Sequence, residues 1–296
     1  MRLPIELKAT IDSIQFFVYD LKSNDSDIKL VFFVFNKYKL MEKFQIDNET
    51  LFTAICAIKE TYHDNVYHNW MHALDSIQFL MVEIEKAKLT SILDSAEIFA
   101  LFIATLFSFS EHDGTYNSFQ KLIGTPIGIL FEGDPLTMSR CISAIRVLTR
   151  DECNLMKNID AYNSKMLWKL ILTVLKDTIV EFENSSTFIE ECQKMLKTSS
   201  FDLNNIKHRE MFFIILFRCA CLSPFARPFG VHLKWQPIFM NAMFYMGDQE
   251  NLNGLDFTSR HNSRDHHIKA LAMIELIEKF AYPAFEVLSG MKVELK

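Results

Sequence analysis

Glycine and proline are scarce, with 8 Gly and 7 Pro in 296 residues. So little turn-forming material excludes collagen-like and low-complexity classes, leaves little for linkers or turn-dense β architecture, and points to a mostly helical body. No C-x-x-C pair occurs among the six scattered cysteines (Cys56, Cys141, Cys153, Cys192, Cys219, Cys221). That usage argues against a disulfide scaffold and predicts a reducing compartment, cytoplasmic or nuclear. No apolar run is long enough to cross a bilayer: Ile98 to Phe109 and Met211 to Leu222 are the longest, and Arg218 interrupts the second. The start, Met1-Arg2-Leu3-Pro4 followed by Glu6, Lys8 and Asp12, lacks the apolar core of a secretion signal. Runs of basic residues are missing too. With 31 Lys+Arg against 37 Asp+Glu the net charge is −6, which gives nucleic acid and anionic membrane surfaces no electrostatic attraction.

What the chain does have is apolar mass. Hydrophobic residues make up 49% and charged residues 23%, enough to bury a large core and to exclude disorder. The 27 Phe and 14 Met against 3 Trp predict a soft, Phe-rich interior. No repeat period or linker splits the sequence, so one domain over 1–296 is expected, with residues 1–40 as a divergent N-terminal segment whose polar break at Lys22-Ser23-Asn24-Asp25-Ser26-Asp27 and apolar run Leu30 to Phe35 leave helix and strand undecided. Further on the helical period is clear. After His72, Leu74, Ile77, Leu80, Met81 and Ile84 share one face, while Asp94 and Glu97 form a capping-box pattern before the all-apolar Ile98 to Phe102. More helices are predicted at 138–147, 165–182, 188–197, 205–221, 236–245 and 268–288, with Pro126, Pro135, Pro224, Pro228 and Pro237 at breaks or helix starts.

His68 and His72, four apart on a predicted helix, project from one face, a spacing that can hold a metal or pair a proton donor with a ligand. Their context is more specific. Tyr67-His68-Asn69-Trp70-Met71-His72-Ala73 closely resembles the Y-H-N-x-x-H-A signature of class I 3′,5′-cyclic-nucleotide phosphodiesterases. Other stretches resemble the same family in order: Phe44 to Asp47 through Tyr62, Gly114-Thr115-Tyr116-Asn117-Ser118-Phe119, Lys176-Asp177 with Phe182-Glu183, Phe244 to Glu250, and Tyr282-Pro283-Ala284-Phe285-Glu286. The resemblance spans about residues 40 to 289. It implies an all-α, compact multi-helix catalytic domain of the HD type.

The resemblance also implies a chemistry of two adjacent divalent cations that activate a bridging hydroxide, with a histidine protonating the leaving oxygen. His68 matches that proton donor and His72 the first metal-ligand histidine. The family's next motif, H-D-x-D-H, reads Ser108-Phe109-Ser110-Glu111-His112, which puts Ser108 at a ligand histidine and Phe109 at the bridging aspartate. Cys221 falls at the last ligand aspartate, Asp177 at an acidic position near the site, and Met273 and Leu276 at the purine-holding glutamine and phenylalanine. Dications need anionic ligands to offset desolvation, and Met and Leu cannot pair with a purine edge. The expectation is therefore a catalytically inactive relative with no metal, no cofactor and a vestigial site of His68, His72, Ser108, Phe109, Glu111, His112, Asp177 and Cys221. It would act by binding a protein partner, with homodimer and heterodimer both open. Three other readings stand beside it: a small-molecule sensor with an apolar pocket at Phe109, Met273 and Leu276; a residual phosphodiesterase with altered metal use; and a single zinc held by Cys219, Cys221, His72, Glu111 and His112. His261, His266 and His267 are expected in a solvated loop from Thr258 to His267.

Overall fold

The computed structural model describes residues 10–21, 25–177, 185–264 and 266–294, with backbone alone at 185–186, 266–269 and 292–294. Among these the only regular elements are helices. Phe182-Glu183 and Lys22 to Asn24 lie outside the described residues, as does the side chain of His267.

Local chemistry sets the helix starts. Asp47 accepts from Thr50 N at 2.7 Å, Asp160 from Tyr162 N and Asn163 N at 3.1 Å, and Asn205 from Lys207 N at 2.9 Å, each satisfying N–H groups that the first turn leaves unpaired. The expected capping box forms: Glu97 N donates to Asp94 Oδ1 and Asp94 N to Glu97 Oε2, both at 2.9 Å, opening the Ser95–Leu106 helix. From Ile98 to Leu106 every residue of that helix is buried. It sits at the centre, packed by Ala161–Leu175, Trp70–Lys86 and Ile206–Cys221; the last of these also meets Tyr282–Glu294. One apolar cluster runs from Ile11 to Met291.

The undecided early segment resolves as the Ser26–Lys37 helix, because its apolar residues bury against Trp70–Lys86. Residues 10–21 dock on the body. Ile11, Phe16 and Val18 are buried, and Gln78 Nε2 donates to Ile11 O (2.6 Å) and Ser13 O (3.0 Å) while Arg227 Nη1 donates to Ile14 O (3.2 Å).

Three boundaries differ from the sequence expectation. Pro237 lies inside the Phe229–Leu252 helix, more than two turns past its start, so the helix runs through it with one interior N–H bond missing. The segment expected at 165–182 ends at Leu175. The last stretch divides into His266–Leu276, a π-turn at Ile277–Ala281 and Tyr282–Glu294. Contacts and backbone conformation require glycine at several positions, Gly114 and Gly247 among them. A Cβ on Gly114 (φ +90°) would sit 3.1 Å from the Tyr245 ring, and one on Gly247 would sit 2.6 Å from Asn262 O.

Candidate functional site

Asn65 and Asn69 assemble the histidines. Asn69 N-caps the Trp70–Lys86 helix, accepting from His72 N at 3.1 Å, and Asn65 Nδ2 donates to both His68 O and His112 O at 2.8 Å. One amide thus ties the start of this helix to the turn after Ser95–Leu106. His68 and His112 stack at 4.1 Å between ring centroids. Phe109 lies between the helices, 4.3 Å and 22° from His72 and 5.0 Å from His68. Tyr67 (4.3 Å) and Trp235 (5.5 Å) pack on other sides of His72.

Hydrogen bonds fix the tautomers. His72 Nε2 lies 3.0 Å from Cys221 O, and since a carbonyl only accepts, this nitrogen carries the proton. Gly114 N donates to His112 Nδ1 at 3.0 Å, leaving the proton of His112 on Nε2. Both ring nitrogens of His68 are buried with no hydrogen-bond partner among the described residues. Burial, aided by the neighbouring imidazoles, pushes His68 well below the usual histidine range; burial likewise takes His72 down to about 3 and His112 to about 4. The Cys221 thiol is pushed up to about 12 by burial. At neutral pH these groups carry no charge.

The formal charge beside them is a cation. Arg140, buried on the Pro135–Leu148 helix, donates from Nη1 to Ser108 O (3.0 Å) and from Nε to Leu175 O (2.8 Å), and also reaches Asp177 O. It thereby serves orphan carbonyls at the end of Ala161–Leu175. Nearby carboxylates are already committed. Asp177 pairs bidentately with Arg218 (2.5 and 3.0 Å), Asp75 with Arg227 (2.9 Å), and Glu111 with Arg146, Ser143 (3.3 Å) and His63 (3.5 Å).

The donor set does not fit the two dications that the sequence resemblance implies. Among the described residues no three His, Cys, Asp or Glu side chains are gathered to hold a metal ion. His72 spends Nε2 on a carbonyl, Cys221 brings no carboxylate, the Phe109 ring fills the space against His72, and Arg140 is a buried positive charge acting on His68, His112 and Cys221. The single-zinc reading meets the same difficulty, with Glu111 turned toward Arg146.

Of the residues singled out from sequence, His68, His72, Phe109 and His112 form one group of rings in contact, and Cys221 joins it through its carbonyl. Ser108 is buried next to them, with its carbonyl held by Arg140. Asp177 is drawn into the Arg218 pair, and Met273 and Leu276 are buried in the apolar cluster on His266–Leu276. His261 is a correction. It is 8% exposed and 3.4 Å from Glu275, and the backbone at His266 and His267 is helical, so the expected solvated loop ends earlier. Sequence reasoning missed Arg140, Asn65, Trp235 and Arg227. Arg140 was readable, since it shares a helix face with Ala144 and Val147.

Comparison with known proteins agrees with this architecture. Residues 67–296 match the family described as 3′5′-cyclic nucleotide phosphodiesterase, and the chain belongs to that family. A cGMP-specific 3′,5′-cGMP phosphodiesterase of Dictyostelium discoideum is 23% identical over 93% of this chain and 58% of its own length. A dual specificity calcium/calmodulin-dependent 3′,5′-cyclic nucleotide phosphodiesterase of Drosophila melanogaster is 26% identical over 87% of this chain and 30% of its own. The chain thus spans less than two thirds of the length of these relatives. The solved phosphodiesterase domain of the RhoPDE fusion protein of the choanoflagellate Salpingoeca rosetta superposes with a TM-score of 0.89 at 20% identity, covering 98% of this chain and 91% of that one, a likeness of fold. Among the described residues no helix is long and apolar enough to cross a membrane.

Proposed function

We propose that this chain is a phosphodiesterase-family domain, one unit over residues 1–296, that no longer hydrolyses cyclic nucleotides and acts by binding another protein as scaffold, adaptor or regulator. The observation that carries the loss of hydrolysis is the Phe109 ring 4.3 Å from His72, at the position where the family resemblance implies a bridging aspartate. His68, which would protonate the leaving oxygen, is held neutral with neither nitrogen paired. Met273 and Leu276 offer no amide to a purine. An interaction role is supported by exposed apolar residues along Asn117–Leu130, where Leu122, Ile129 and Leu130 are 60%, 71% and 70% exposed.

The test is hydrolysis of cAMP and cGMP by the purified protein with Mg²⁺, Mn²⁺ or Zn²⁺. No turnover is expected; turnover that disappears in His68→Ala would overturn the reading. The names of the relatives, cGMP-specific and dual-specificity cyclic nucleotide phosphodiesterases, favour residual hydrolysis with altered metal use as the second reading, and the same assay decides between them. A sensor pocket at Phe109, Met273 and Leu276 would require buried side chains to part.

A further inference from the structure

On another face of the molecule lies a preformed groove of about 770 Å³, lined by none of His68, His72, Phe109 or Cys221. We propose that it binds an uncharged, predominantly apolar small molecule. The volume falls in the range of small-molecule pockets, roughly 300–1,000 Å³. Phe44, Ile159, Leu167, Leu170 and Phe213 supply apolar surface, and the exposed Met166 (49%) and Ile206 (72%) stand along it.

The walls come from separate elements and are pinned to one another by polar links. Lys43 Nζ donates to Ser95 Oγ and Asn158 Nδ2 to Gln45 O, both at 2.7 Å. Arg209 clasps Glu97 bidentately at 2.6 and 2.7 Å and donates to Ile92 O at 3.1 Å; Lys169 pairs with Glu210 at 2.9 Å. Such links hold the groove open without a ligand, so little ordering cost falls on binding.

The same links decide the ligand's charge. Arg209 and Lys169 are matched by Glu97 and Glu210, Lys43 is seated on the Ser95 hydroxyl, and Asp94 and Asp160 are spent on helix caps. An anion would meet more carboxylates than cations, and a cation would have to compete with N–H donors already seated on Asp94 and Asp160. An uncharged molecule displaces nothing but water from the apolar floor, which is where the free energy lies.

Nile red, an uncharged apolar fluorophore, serves as the probe with the full chain. Saturable one-to-one binding with blue-shifted emission is expected. Met166→Glu and Ile206→Glu, both at exposed positions and checked for unchanged circular dichroism, should each weaken it at least roughly tenfold by placing a charge on the apolar contact. Leu252→Glu, at an exposed position of the Phe229–Leu252 helix that lines none of the groove, should leave the affinity unchanged. Non-saturable binding, loss of binding in Leu252→Glu, or unchanged affinity in Met166→Glu and Ile206→Glu would overturn the proposal. The readout is independent of any hydrolysis, so its failure leaves the proposed function untouched.

Discussion

Acidification should unfold this protein through its buried imidazoles. His72 is fully enclosed and His68 is 4% exposed, and burial holds both below the ordinary histidine value of 6.5. The unfolded chain takes up protons near that value while the folded chain does not, so stability is complete above about pH 6.5 and falls as pH drops toward the folded values, near 3 for His72. Each such group withdraws up to about 1.4 kcal/mol per pH unit, so His68 and His72 together remove about 2.5 kcal/mol between pH 6 and 5, and His112, held down to about 4, adds to the loss. Against a total stability of roughly 5–15 kcal/mol that loss is large. The assay is urea denaturation followed by tryptophan fluorescence at pH 7.5, 6.5, 6.0, 5.5 and 5.0. His68→Phe, which keeps the ring contacts with His112 and Phe109, should flatten the pH slope by about 1.4 kcal/mol per unit. A midpoint constant between pH 7.5 and 5.5, or an identical slope in His68→Phe, would refute the assignment of these rings as buried and neutral.

Other consequences are equally direct. At pH 7.5, His68→Phe should be neutral or stabilising by about 1 kcal/mol, because it removes two buried polar atoms without partners; destabilisation beyond that in the same denaturation assay would mean that the nitrogens are paired. Phe109→Ala should cost about 3–5 kcal/mol, as expected of a ring buried among His68, His72 and the surrounding core, and an effect under 1 kcal/mol by urea titration would show that the ring fills no essential space. Asp75→Ala should cost about 3–5 kcal/mol by leaving the Arg227 guanidinium, fully buried beside it at 2.9 Å, without its counter-charge; near-wild-type stability would contradict that geometry.

Helices with strong local signals were legible in the sequence. The capping box at Asp94 and Glu97 and the apolar face from Leu74 to Ile84 predicted helices found at Ser95–Leu106 and Trp70–Lys86. Where local chemistry was ambiguous the fold decided. Leu30 to Phe35 reads equally as strand or helix until its residues meet the Trp70–Lys86 helix, and Pro237 reads as a break although the Phe229–Leu252 helix continues through it. The members of the candidate site were named from a linear motif, but what surrounds them is set by distant partners. Arg140 reaches Ser108 O from 32 residues away and Cys221 O meets His72 from 149, so neither link leaves a local pattern. The outward-looking reading of His261 failed for the same reason, since Glu275 on the following helix draws it inward.

Elemental analysis of the purified, tag-free protein after incubation with Mg²⁺, Mn²⁺ and Zn²⁺ tests the central claim most directly, because a phenyl ring and a thiol in place of carboxylates, beside a buried arginine, make a poor cradle for dications. The account predicts bound metal far below one equivalent. One or two equivalents of a divalent cation, released when His72 is replaced by alanine, would contradict it.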